Sequence, residues 1–159
     1  MSVLFLDIEG AFLNAVNEKL ITNLTKKQVP AEIVQFIKNM LKDRKTCLKF
    51  DDHKSKSIDI DNGIRQGDPL LMVLYQYYNT DLLDMPKSNS ELAAAYVDNT
   101  ILITTAKNFK GTHDILVNMM TRENGAIQWA KEHNSKFELS KLALIDFVHQ
   151  CKQISRPPL

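Results

Sequence analysis

Residues 93–104, AAAYVDNTILIT, constrain the fold more than any other stretch of the chain. Val97, Ile101, Leu102 and Ile103 suit a buried strand, and Asp98 with Asn99 suits a tight turn. The segment therefore reads as an apolar hairpin with a carboxylate at its tip. A second strand-like run, VLFLD at residues 3–7, also ends on an aspartate. It has the unbroken apolar character of a central strand covered on both faces.

The intervening segments are helical or hairpin-like. Phe12, Val16, Leu20 and Leu24 recur every four residues and predict a helix. Pro30 opens a second helix, with Ile33, Val34, Ile37, Met40 and Leu41 on one stripe. Residues 46–61 read as a polar hairpin, with TCLKF and SIDID flanking DDHKSKS. In the loop GIRQGDPL, Asp68 suits a helix cap and Pro69 the first turn. The helix after it carries Leu70, Leu71, Leu74, Tyr75, Tyr78 and Leu82 and stops before Pro86. A long helix is expected over about 110–133, and KFELSKLALIDF gives two short strand-like runs around Ser140-Lys141. Helices interleaved with hairpins, without βαβ alternation, predict an α+β layer with an antiparallel sheet on one side and helices on the other. Residues 1–150 are expected to form the domain and 151–159 a polar tail.

The chain has 159 residues, enough for one ordinary core, with 44% hydrophobic and 25% charged residues. It has no apolar run of about 18 residues, so no membrane partner is expected. The start has no basic region of a secretory signal, which points to an intracellular, non-secreted protein. Cys47 and Cys151 have no partner at zinc-binding spacing and read as reduced thiols. A net charge of +1 does not announce a nucleic-acid partner. Lys38, Lys42, Arg44, Lys45 and Lys49 do cluster around the second helix and the polar hairpin, where a solvated face is the ordinary explanation.

Asp7 and Asp98 are distant in sequence but meet if their strands are neighbours in the sheet. Two carboxylates at a sheet edge can hold Mg²⁺, which takes hard oxygen ligands. Two such ions about 3.5–4 Å apart clamp the attacking and leaving oxygens of a phosphoryl transfer.

Four segments, FLDIEGAFLNAV (5–16), NGIRQGDPLLMVLY (62–75), AAYVDNTILI (94–103) and LSKLALIDF (139–147), occur in an order and spacing that resemble reverse transcriptases. The resemblance is to those of LINE-type (non-LTR) retrotransposons. It implies a polymerase palm using two Mg²⁺ ions, with Mn²⁺ as a substitute, to add dNTPs to a DNA primer on an RNA template. Asp7 and Asp98 match the metal-binding catalytic aspartates. Phe12 matches the ring that excludes a ribose 2′-hydroxyl. Arg65, Gln66, Gly67 and Tyr96 match nucleotide- or template-contacting positions. Lys141 matches a lysine that protonates departing pyrophosphate.

Four positions depart from that pattern. Asn99 stands where a second hairpin aspartate is usual. It makes a weaker metal ligand, because an amide oxygen brings no charge. Leu71-Met72 replace a small pair, and Leu13 replaces a polar residue or proline. No fingers, thumb, endonuclease or RNase H segment is recognisable, so a palm-only fragment of weak or no activity is expected, prone to associate through exposed palm surfaces. A non-catalytic relic that binds RNA or a protein partner is the alternative. An RNA-directed RNA polymerase fits less well, because Phe12 and the Tyr-x-Asp hairpin argue against it.

Overall fold

The computed structural model describes residues 1–64 and 69–148. Its central strand is β1 (Ser2–Glu9). Helices α1 (Ala11–Asn14), α2 (Asn17–Lys26) and α3 (Ala31–Leu41) follow. A protruding ribbon comes next, made of β2 (Arg44–Thr46), β3 (Lys49–Phe50), β4 (His53–Lys54) and β5 (Ile58–Ile60). Helices α4 (Pro69–Tyr78) and α5 (Thr80–Leu83) lead to the hairpin β6 (Glu91–Tyr96) and β7 (Asn99–Thr104). Then come α6 (Phe109–Thr121), α7 (Ala126–Glu132), β8 (Lys136–Phe137), a 3₁₀ turn at Leu139–Lys141 and β9 (Ala143–Asp146). None of the described helices is long and apolar enough to cross a membrane.

The main sheet is antiparallel, as expected, with β6, β7 and β1 in order. The free edge of β1 is shared by two short strands, β9 opposite Ser2–Phe5 and β8 opposite Ile8 and Glu9. The terminal strands were expected as a neighbouring pair around Ser140-Lys141. They instead add end to end to β1, because the 3₁₀ turn between them carries the chain along that edge. On β1 and β7, Leu4 lies opposite Leu102 and Leu6 opposite Thr100. Leu6, Leu102 and Thr100 are buried, and the two leucines join the core shared with Leu20, Leu24, Leu74 and Met119 of the helices. The opposite face is open: Phe5, Leu92 and Tyr96 lie on it and are exposed.

Both long helices expected from periodicity are interrupted. The first breaks at Ala15-Val16, because the loop at residues 63–64 takes the helix's carbonyls. Gly63 N–H donates to Ala15 O at 2.7 Å and Ile64 N–H to Phe12 O at 2.6 Å. This approach requires glycine: Gly63 has φ +88°, and a Cβ there would lie 2.6 Å from Leu13 O. The Tyr78 hydroxyl completes the break, accepting from Val16 N–H at 3.1 Å and donating to His133 O at 2.6 Å. The second helix breaks at residues 122–125. Asn124 is left-handed there, and a Cβ on Gly125 would lie 2.6 Å from Met119 O.

That second break places Arg122 where it is needed. Its guanidinium donates to Glu91 Oε2 at 2.7 Å, to Glu91 Oε1 at 3.0 Å and to Met85 O at 2.7 Å. The pair is nearly buried, and the Arg122 hydrogen bonds hold the Glu91 carboxyl below its usual range against the opposing effect of burial. A carboxyl depressed in the folded state contributes stability that is full above the unfolded value of 4.5 and is lost as pH falls through the folded value. Glu91→Gln is therefore expected to lower the urea midpoint markedly at pH 7 and little at pH 3. Arg122→Ala is expected to cost roughly 1–3 kcal/mol, because it removes the charged partner of a part-buried carboxylate that keeps the Lys87 N–H. Equal losses for Glu91→Gln at both pH values would refute the assignment.

Candidate active site

Pairing between β1 and β7 places the acidic residues. Asp7, near the end of β1, lies directly opposite Asn99, the first residue of β7. Both emerge on the open face of the sheet, and Asp98 occupies the adjoining turn. The turn falls at Val97-Asp98, one residue earlier than expected, with Tyr96 and Asn99 as its closing pair. Val97 therefore takes φ +58°, a strained conformation for a β-branched residue. A buried anchor holds it there: the side-chain amide of Asn79 donates to Val97 O at 2.7 Å, and both residues are inaccessible to solvent or nearly so.

Asp7 and Asp98 share a cavity of about 290 Å³ with Gly10, Phe12, Glu138 and Lys141. The Lys141 ammonium donates to Asp7 Oδ1 at 3.1 Å. That hydrogen bond and the Asp7 charge, with smaller contributions from Glu138 and Asp98, raise the lysine above its ordinary range. Glu138 was not singled out in the sequence. Its backbone N–H donates to Asp7 O at 2.9 Å, and its carboxylate accepts from Ser140 Oγ at 2.7 Å. The Ser140 hydroxyl and N–H hold the Glu138 carboxyl below its usual range. Only its place on the β8 edge of β1 reveals it, and that pairing is invisible to periodicity.

The Phe12 ring packs 4.9 Å from that of Tyr75 and is half buried, so its position at the cavity wall is fixed by the core. Tyr75 is fully buried; burial first, then Tyr78 and Asp98, push its hydroxyl far above its usual range. Its identity as a core residue hid its closeness to Asp98. Tyr96 is 71% exposed on the open face beside Asn99. The structure thus brings together Asp7, Phe12, Asp98, Asn99 and Lys141, with Tyr96 at the margin. Arg65, Gln66 and Gly67 lie outside the described residues, as do Asp68 and Cys151.

Two carboxylates and one amide are hard oxygen donors, and the Lys141 ammonium shows that the corner holds a cation at Asp7. The donor set fits a hard divalent ion bound mainly through water. No cluster of three or more His, Cys, Asp or Glu able to hold a metal occurs among the described residues. Asn99 accounts for part of this. A carboxylate there would stand opposite Asp7 and beside Asp98. The amide instead donates to Asp98 Oδ1 at 3.2 Å.

The family model described as reverse transcriptase (RNA-dependent DNA polymerase) matches residues 1–153. The chain is 25% identical over 151 residues to the RNA-directed DNA polymerase from mobile element jockey of Drosophila melanogaster, covering 92% of this chain but 16% of that protein. Among solved structures, apo telomerase from Candida tropicalis superposes with a TM-score of 0.67 at 10% identity, over 91% of this chain and 28% of that one. Telomerase from Candida albicans in complex with a fragment of telomeric RNA gives 0.53 at 13% identity, over the same shares. The chain therefore spans a small part of the proteins it resembles.

Because Asn99 removes a like charge opposite Asp7, Asn99→Asp is expected to lower stability in EDTA by roughly 0.5–1 kcal/mol. The loss should shrink in 0.5 M salt as the charges are screened. Urea titrations at both ionic strengths check this; a loss independent of salt would contradict the electrostatic account.

Proposed function

Since the chain belongs to the reverse transcriptase family, we propose that it is the palm of an RNA-directed DNA polymerase, adding deoxynucleotides to a DNA primer on an RNA template. The observation that carries this reading is the β1–β7 register, which sets Asp7 and Asp98 on one cavity with a lysine against them. Asp7 and Asp98 would hold Mg²⁺ or Mn²⁺, with Asn99 contributing an uncharged oxygen. Bound there, the metal supplies charge stabilisation at the reacting phosphate and lowers the pKa of the attacking hydroxyl.

The chain's own residues have separable tasks. The primer 3′-hydroxyl gives its proton to water as its oxygen bonds to the α-phosphorus of the dNTP, the bond to the bridging oxygen breaks, and pyrophosphate leaves. Lys141, released from Asp7 when a metal loads, donates its proton to that leaving oxygen. Phe12, braced on Tyr75, blocks the space beside the sugar C2′ and so favours deoxynucleotides. Tyr96 offers an exposed ring to the primer-template. Arg65, Gln66 and Gly67 are assigned to the incoming nucleotide and template by their match to the family pattern.

The site is weakened by two internal bonds, Lys141 to Asp7 and Asn99 to Asp98, which occupy carboxylate oxygens before any metal arrives. Metal loading must displace the first, so slow turnover is expected. These bonds also favour a second reading, a non-catalytic relic whose carboxylates are satisfied without metal.

Primer extension on an RNA template with dNTPs and Mn²⁺ tests the proposal. Slow extension is expected in the parent chain and none in Asp7→Ala. Lys141→Met is expected to lose about 100-fold, the low end for a general acid. Asn99→Asp is expected to tighten Mn²⁺ binding, read by electron paramagnetic resonance, and to speed extension. A folded parent chain that extends no primer, and whose Mn²⁺ binding ignores Asp7→Ala, would eliminate the polymerase reading and leave the relic.

A further inference from the structure

We propose that His133 and Asp81 form a second metal site, in a cavity apart from that of Asp7 and Asp98, which takes a late first-row divalent ion such as Zn²⁺ or Ni²⁺ and completes its coordination with water. The proposal is independent of the polymerase reading.

The imidazole of His133 is the first observation. It is 2% exposed and follows the last turn of α7. Three contacts hold its ring: a stack on Trp129 at 4.6 Å, an edge-on approach to Tyr78 at 5.2 Å, and a hydrogen bond between Nδ1 and Trp129 O at 2.8 Å. A carbonyl oxygen only accepts, so Nδ1 carries the proton. Burial, ahead of the neighbouring charges, lowers the pKa of the ring and keeps it neutral. Nε2 therefore presents a lone pair. That atom is buried and has no hydrogen-bond partner among the described residues. A neutral imidazole whose other nitrogen donates to a carbonyl is the form in which histidine ligates a metal.

The second observation is a carboxylate facing that lone pair. Asp81, on α5, sets Oδ2 3.9 Å from His133 Nε2. The gap is too long for a hydrogen bond. It is slightly less than two metal bonds of about 2.0–2.1 Å laid end to end, so one ion bridges the two atoms in a bent arrangement. An imidazole ligand favours late first-row ions over Mg²⁺. Cations already gather at this corner. Lys26 Nζ lies 3.2 Å from Asp81 Oδ1, and Lys19 Nζ lies 3.5 Å from Glu132 Oε2. The Lys26 side chain is 58% exposed and can turn into solvent when an ion takes its place.

Space is the third. His133 and Asp81 border a cavity of about 300 Å³ with Lys19, Lys26, Trp129 and Glu132. Trp129 Nε1 is a second buried polar atom without a partner, and its N–H can donate to an oxygen carried by the ion. No residue lining this cavity lines that of Asp7 and Asp98. A bound ion ties α5 to the end of α7.

Trp129 is the only tryptophan of the chain, so its fluorescence reports an ion at the ring stacked on it. The test is a Ni²⁺ titration of the 159-residue chain at neutral pH, read by quenching of that fluorescence. Saturable quenching is expected, reversed by excess Zn²⁺ and not by Mg²⁺. Asp81→Asn is expected to weaken binding at least about tenfold, the smallest loss usual for an outer partner of a ligand. His133→Gln is expected to abolish the saturable phase. Lys26→Met, which removes the competing ammonium, is expected to tighten binding. Zn²⁺ should also raise the urea midpoint of the parent chain and not that of His133→Gln, because the ion binds the folded state. Circular dichroism verifies folding, and Asp81→Asn, at a partly exposed position, carries the test if His133→Gln does not fold. Asp7→Ala should leave the quenching unchanged, which separates this site from an ion held at Asp7. Quenching that does not saturate, that survives Asp81→Asn and His133→Gln, that Mg²⁺ reverses, or that disappears in Asp7→Ala would each overturn the proposal. Failure to extend a primer would bear on the polymerase reading alone.

Discussion

The antiparallel register between β1 and β7 is the constraint on which the rest of the molecule depends. It is a two-residue periodicity, so one choice sets both faces at once. With Leu4 opposite Leu102 and Leu6 opposite Thr100, the helices gain a buried floor. The same register brings Asp7 opposite Asn99 and therefore beside Asp98. A slip of one residue would send the aspartate into the core and the leucines to the open face. Burial of leucine thus fixes the position of the carboxylate, although the two lie on opposite sides of the sheet. The apolar core contributes to the chemistry by excluding alternative pairings.

At the tip the structure accepts a local cost to keep this geometry. Val97 is β-branched and left-handed, a conformation that costs on the order of 1–3 kcal/mol. Asn79 counters it with a short hydrogen bond to Val97 O in a buried setting, where a net contribution of about 1 kcal/mol is usual. The Val97 side chain is also buried, which adds packing to the balance. A residue at the end of α4 thereby holds a turn 18 residues away. Lys141 reaches the same corner from the other side, through the 3₁₀ turn that connects the two edge strands.

Much of this was legible in the residues. The strand carrying Asp7, the apolar hairpin carrying Asp98 and the α+β layering follow from patterning, although that strand runs on to Glu9, and the four ordered segments point to the family. What patterning missed has a common cause: it sees one segment at a time. The helix from Phe12 to Leu24 has an unbroken apolar stripe, yet Gly63 and Tyr78 break it from elsewhere in the chain. The stripe over 110–133 likewise conceals the turn at Gly125. The last two strands read as partners of each other, because nothing local shows that both edges they need belong to β1. Glu138 and Tyr75 entered the site through such long-range placements. Local propensity put the turn at Asp98-Asn99, and the tertiary hydrogen bond from Asn79 accompanies its position one residue earlier.

The Tyr78 hydroxyl has a consequence for how the molecule opens. One oxygen takes the amide of Val16 and gives its proton to the carbonyl of His133, joining the first helical layer to the loop before β8. Either segment, in leaving, takes a hydrogen-bond partner from the Tyr78 hydroxyl. The two should therefore unfold as one cooperative unit despite their separation in sequence. In native-state hydrogen exchange, the Val16 amide would report on the release of the C-terminal strands rather than on fraying of its own short helix. The strand edge that carries Lys141 to Asp7 is in this sense tethered to the helix that follows Asp7 itself.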